Sequence, residues 1–264
     1  MTQAPTAHVG LTRRSALVSM ATFFGLWLSP SRARCFGAAG TFQARQLTSG
    51  GMAAEGPRVA GLSRWGWEVE RRTSAPARLQ TATVALDDSK LFDQPFAVWF
   101  GARSVAPLTA SEMRGLDRFL RLGGMLLVDD SDPADGQFGR SVQRELQRVM
   151  PETHPVTLDD DHVLYKSFYI VERPVGRVLG PSQIEAIVRG RFAQVLFLSH
   201  DLLGALATQK DGTARFDVEP GGARQREQAI RFAVNIAMYV LCLDYKDDQV
   251  HAPWLMRRRS RKSP

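Results

Sequence analysis

Cysteine is close to absent from this sequence: Cys35 and Cys242 are the two in 264 residues. That excludes the disulfide framework that staples small secreted domains. Stability must come from a packed core, which a chain of this length can bury. No uninterrupted apolar run reaches the roughly 20 residues a bilayer-crossing helix needs. No Gly-x-Ser-x-Gly turn occurs, which excludes the exposed serine elbow of α/β-hydrolases. No repeat or low-complexity linker interrupts the chain after Thr41, so one domain is expected.

Acidic residues are missing from both ends. The net charge of +7 arises from Arg13, Arg14, Arg32 and Arg34 at one end and Arg257, Arg258, Arg259, Arg261 and Lys262 at the other. The body between them is slightly negative. Binding to a phosphate backbone requires a clustered basic face, so nucleic acid is excluded as a partner.

What stands at the N-terminus reads as an address. The twin Arg13-Arg14 precedes a mostly apolar stretch from Ala16 to Ser29, and small residues follow at Ser31-Arg32-Ala33 and Gly37-Ala38-Ala39. A basic start, apolar middle and small-residue exit form the layout of an export signal. The stretch resembles twin-arginine signals, whose transporter carries folded proteins. The expectation is an export signal over residues 1–39 with cleavage between 33 and 40. The mature protein would then lie in the periplasm or on the outer face of the inner membrane. The alternative is an N-terminal anchor that stays attached. Cys35 falls within or just after the targeting stretch, and a chain cut beyond it keeps Cys242 alone.

The body, residues 40–246, reads as strands alternating with helices. "TFQARQL" before Ser49-Gly50-Gly51 is a candidate first strand. Val59, Leu62, Trp65 and Val69 have helical spacing, with Pro57 suited to a first turn. "PFAVWFG" is a continuous apolar run ended by Gly101, as in a strand covered on both faces. Thr109 and Glu112 form a capping-box pattern, Leu116, Phe119 and Leu120 continue an apolar face, and Gly123 supplies a left-handed stop. "MLLV" follows as a buried strand, and strand, helix, strand in short order predicts a parallel sheet. Phe138, Val142, Leu146 and Val149 space out another helix ending at Pro151, and "RFAQVLFLSHD" supplies a further buried strand. A last helix is expected from about Ala223 to Leu243, sunk into the core, with Asn235 in its apolar half needing a hydrogen-bond partner. Residues 247–264 read as a disordered basic tail. Facing anionic lipid, such a tail gains about 1 kcal/mol per charge, which makes peripheral membrane contact an expectation.

Four stretches, "WEVERRTS" at 67–74, "LDRFLRLGGMLLVDD" at 116–130, "LDDDHVLYKSFY" at 158–169, and "DVEPGG" with "FAVNIAMYVL" at 217–241, resemble the bacterial DUF4159 domain family. The resemblance implies a flavodoxin-like, class I glutamine amidotransferase-like fold: a three-layer α/β sandwich with a mainly parallel sheet. It also implies AAA ATPases and von Willebrand-type domains as company, and supplies no reaction. The sequence departs from the family pattern at Gly101-Ala102-Arg103, where a Gly-His-Gly-like turn is usual, and at Val163, where a proline usually follows Asp-His.

An amidotransferase-like sheet would carry its nucleophilic cysteine in the turn after "MLLVDD". Here that turn reads Asp129-Asp130-Ser131-Asp132, so a thiol mechanism is excluded at that position. Asp130, Asp132 and Asp135 before Gly136 miss the calcium-loop spacing by one residue, and a solvated loop capping the next helix is preferred. Asp159, Asp160, Asp161 and His162 carry metal-ligand chemistry, yet consecutive residues seldom converge on one ion, and a local turn is preferred. Ser199, His200 and Asp201 end a buried strand, where an α/β cleft forms. Adjacent side chains cannot by themselves make a triad. The candidate ligand-binding set is therefore Asp129, Asp130, Asp132, His162, Ser167, Tyr169, Ser199, His200 and Asp201, with Asp130, His162 and the Ser199–Asp201 group expected to share one pocket. No cofactor and no metal is called for. The expected role is a non-catalytic module for binding or assembly in the cell envelope. The alternative is a hydrolase using His162 or His200 with an aspartate or a bound metal.

Overall fold

Seven strands line up side by side in the order β2-β1-β3-β4-β7-β6-β5. They are β1 (Arg45–Thr48), β2 (Ala82–Ala85), β3 (Phe96–Gly101), β4 (Met125–Asp130), β5 (Val156–Thr157), β6 (Glu185–Arg189) and β7 (Phe192–Leu198). The computed structural model describes residues 40–50, 56–190 and 192–260, with the backbone alone for 243–260. The export-signal reading, with Arg13 and Arg14, falls outside the described residues.

β2, β1, β3, β4 and β7 are parallel, and β6 and β5 add an antiparallel margin. The parallel order 2-1-3-4-7 is the doubly wound, flavodoxin-like arrangement. Helices α1 (Val59–Thr73), α4 (Leu202–Leu206) and α5 (Gly222–Ser260) share one apolar layer with one face of the sheet. Helices α2 (Ala110–Arg121) and α3 (Gln137–Val149) share a second layer with the other face. The protein is a three-layer α/β sandwich.

Alternation along the strands builds both layers. In β4, Met125 and Leu127 enter the first and Leu126 and Val128 the second, because successive side chains leave opposite faces of a strand. The first layer centres on Phe42, Trp65 and Phe96, with ring centroids 5.4–5.7 Å apart. The Trp65 indole donates to the Ala233 carbonyl at 2.8 Å, fixing α1 against α5. In the second layer Trp99 meets Phe138 edge-on at 6.4 Å.

The capping box at α2 forms as expected, with Thr109 accepting from the Glu112 amide and Glu112 accepting from the Thr109 amide. Gly123 takes the left-handed conformation, φ 92°, that stops this helix.

Three features differ from expectation. β6, a strand absent from the sequence reading, pairs antiparallel with β7 through the turn at Gly190, φ 62°, while β7 itself lies parallel to β4. α5 does not end near Leu243 but runs on to Ser260, so residues 247–260 of the expected disordered tail continue the helix. Cys242, placed in the core by its apolar neighbours, is exposed.

Candidate functional site at the carboxyl ends of the strands

β4 delivers two consecutive carboxylates to the end of the sheet, and the pleat sends them to opposite faces. Asp129 turns toward α4 and accepts from the Leu202 and Leu203 amides at 2.9 and 2.8 Å. Its carboxyl is fully buried, and burial first, then the neighbouring Asp201, push its pKa up. The two amides and Arg58 work against that shift.

Asp201 holds the left-handed conformation, φ 51°, just before α4 and caps it by accepting from the Gly204 amide at 3.0 Å. Such a conformation is uncommon outside glycine, although aspartate tolerates it better than most. Gly204 is required there, since a Cβ would stand 2.3 Å from Asp201 Oδ2. Asp201 is completely buried and meets two arginines. Arg58 donates through Nε and Nη2 to its two oxygens, each at 2.7 Å, and Arg177 donates through Nε.

Arg58 also donates to the Ser131 carbonyl at 3.0 Å and lies over the Phe216 ring, 4.7 Å from its centroid. The hydrogen bond to Asp201 raises its pKa. Because Arg58 immediately precedes α1, this cluster joins the start of α1, the loop after β4, the turn after β7 and the 177 loop. A buried carboxylate without a cation is costly, and the two arginines supply the compensation. Neither arginine was among the expected site residues. The pairing spans 143 positions, and no local pattern marks which arginine reaches in.

Asp130 lies on the other face. Its oxygens accept from the Asp132 and Gly139 amides, both at 2.9 Å, so it caps the first turn of α3. Burial raises its pKa, and those amides oppose the rise. Asp132 and Asp135 are exposed. The loop "DDSDPADG" is thus mainly a capping loop, as the solvated-loop reading anticipated.

His200 is buried. Its Nε2 lies 3.0 Å from the Pro181 carbonyl, which can only accept, so the proton belongs on Nε2. Nδ1 has no hydrogen-bond partner among the described residues. Burial lowers its pKa to about 4. The 176–181 loop covers the residue closely: a Cβ on Gly176 would fall 2.1 Å from the His200 carbonyl oxygen, and one on Gly180 2.8 Å from Nε2. Ser199, half-buried, lies under the same loop.

His162, Ser167 and Tyr169 belong elsewhere. His162 Nδ1 accepts from the Leu164 amide at 3.2 Å, capping a 3-10 turn, and burial lowers its pKa. Its ring lies 5.8 Å from that of Tyr239, whose hydroxyl accepts from the Ala193 amide at the beginning of β7. His200 follows the end of that strand and lies near Gln225, which donates to the Gly176 carbonyl. Between Gln225 and Tyr239, α5 rises ~21 Å. His162 and His200 therefore do not converge. Ser167 donates to the Asn235 carbonyl at 2.7 Å. Tyr169 donates its amide to Asn235 Oδ1 at 2.7 Å, and its carbonyl accepts from Asn235 Nδ2 at 2.8 Å. These bonds supply the partners that Asn235 was expected to need.

The structure thus brings Asp129 and Asp201 together, beside Ser131 and Arg58. It places Asp130 across the sheet and His162, Ser167 and Tyr169 along α5, so the expected common pocket does not form. The reason is geometric: the pleat divides Asp129 from Asp130, and the polar side chains turn to nearby backbone groups. A shallow groove of about 570 Å³, lined by Pro57, Ala60, Thr208, Lys210, Asp211 and Arg215 among others, and a smaller one of about 150 Å³ at Leu120, Arg189 and Gln194 contain none of the candidates. Among the described residues, no three His, Cys, Asp or Glu side chains are arranged to hold a metal ion.

Fold and site together define a flavodoxin-like α/β domain whose strand-end carboxylates are tied to backbone amides and arginines. Residues 45–241 match the domain of unknown function DUF4159, and the chain belongs to that family. No curated protein matches the chain.

Proposed function

We propose that this protein is an exported DUF4159 domain that binds a ligand or protein and takes part in assembly in the cell envelope without catalysing a reaction. The observation that carries this reading is the condition of the strand-end polar groups. Asp129 and Asp130 each accept two backbone amides, and Asp201 accepts from two arginines and an amide. A general base or nucleophile needs a lone pair within reach of substrate, whereas these three carboxylates are buried with a protein donor on each oxygen. Among the described residues, neither His162 nor His200 hydrogen-bonds a carboxylate, as the oriented base of a hydrolase triad would.

Twin-arginine export, and AAA ATPase or von Willebrand-type partners, enter through the signal-like N-terminus and the family resemblance. A screen of the purified protein against ester, amide and phosphoester substrates, combined with metal analysis, tests the reading. No turnover and no stoichiometric metal are expected. Turnover abolished by His200→Ala or His162→Ala in a folded protein overturns it. Fusing residues 1–45 to a reporter that must fold before export tests the address: export should stop with Arg13→Lys and Arg14→Lys together.

A further inference from the structure

The folded core ends before the helix does. α5 is buried through Leu241, its next residue Cys242 is exposed, and the family match also ends at residue 241. The backbone nonetheless remains helical to Ser260, which adds ~27 Å of helix beyond Cys242. Pro253 removes one rung of the hydrogen-bond ladder on the way.

Residues 243–250 of this extension still carry Asp244, Asp247 and Asp248 beside Lys246, but its end has a composition unlike the body's. Residues 251–264 hold Arg257, Arg258, Arg259, Arg261 and Lys262 and no acid, directly after Trp254-Leu255-Met256. The body, by contrast, is slightly negative and has no electrostatic reason to approach an anionic surface. Among the described residues, no helix is long and apolar enough to cross a membrane.

We propose that residues 250–264 form a docking element for an anionic lipid bilayer and hold the folded body at the membrane surface through α5. Charge complementarity selects the occupant. Clustered Lys and Arg are drawn to anionic headgroups, each contributing roughly fivefold in partitioning at low ionic strength. Trp and neighbouring apolar residues suit the interfacial zone. A single short apolar triplet adds only a modest hydrophobic anchor, so the association is reversible and sensitive to salt. The proposal stands independently of export, since anionic lipid faces either compartment.

The test is co-sedimentation of the full chain with phosphatidylglycerol/phosphatidylcholine vesicles and with phosphatidylcholine alone, at about 50 and 500 mM salt. The comparison protein carries Arg257→Gln, Arg258→Gln, Arg259→Gln, Arg261→Gln and Lys262→Gln, with its N-terminus unchanged. Wild type should bind the anionic vesicles at low salt, lose binding at high salt and ignore neutral vesicles. With five charges lost at roughly fivefold each, the variant should bind ~3,000-fold more weakly at low salt, with an unchanged unfolding midpoint. Equal binding by the two proteins, or equal binding of wild type to neutral vesicles, overturns the proposal. So does tail-dependent binding to RNA without binding to vesicles. Should the variant fail to fold, a chain ending at Gln249 gives the same comparison, and its binding to anionic vesicles as tightly as wild type overturns the proposal.

Discussion

Arg58 and Asp201, separated by 143 positions in sequence, meet through two parallel hydrogen bonds of 2.7 Å, with the carboxylate fully buried. The planar guanidinium fits both carboxylate oxygens at once. Replacing Arg58 with Lys should therefore lower stability by ~1–2 kcal/mol, because a point charge cannot reproduce both bonds. Urea unfolding checks this, and a double-mutant cycle with Asp201→Asn should give a coupling of at least ~1 kcal/mol.

His200 should make the protein sensitive to acid. Its folded-state pKa is lowered to about 4 from 6.5, so the unfolded chain takes up a proton at higher pH than the folded one. The stability this supplies is complete above pH 6.5 and is lost as pH falls from there toward 4. At ~1.4 kcal/mol per pH unit the loss reaches about 3 kcal/mol. Unfolding at pH 7 and pH 4.5 should show the fall, His200→Gln should flatten it, and NMR should find the ring neutral at pH 5.5.

Asn235 holds the 167–169 segment against α5 by bonding the Phe168 and Tyr169 amides and the Tyr169 carbonyl. Asn235→Ala leaves these groups without that partner and should cost ~2–3 kcal/mol. Hydrogen exchange at Phe168 and Tyr169 should accelerate, while exchange in β4 changes only with global stability.

Gly115 lies within α2, where alanine ordinarily stabilises a helix by up to ~1 kcal/mol. Here a Cβ would stand 1.8 Å from the Leu86 carbonyl oxygen, backbone that cannot swing aside. Gly115→Ala should instead destabilise by ~1–3 kcal/mol, seen as a lower thermal midpoint.

These contacts show what local sequence reading reaches. The Thr109/Glu112 box, the Gly123 stop and the strands at 96–101 and 125–130 rest on neighbouring residues and short-range periodicity, and all are present. The parallel order follows from strand-helix-strand succession. β7 is parallel to β4, and the hairpin escaped because β6, the five residues EAIVR with exposed ends, carries too short an apolar run to stand out as a strand. The site was less legible. Sequence located carboxylates at the end of β4 and after β7, but their partners are backbone amides and two distant arginines. Whether a polar residue faces a crevice or a neighbouring amide depends on tertiary packing, which spacing does not encode.

The unfolding free energy of Asp201→Asn tests most directly whether the strand-end groups serve the fold. Removing the buried charge leaves Arg58 and Arg177 without their counterion, and a loss of ~3 kcal/mol at pH 7 is predicted. Residues kept for catalysis often relieve strain or repulsion when replaced. Unchanged or increased stability of Asp201→Asn would contradict the account.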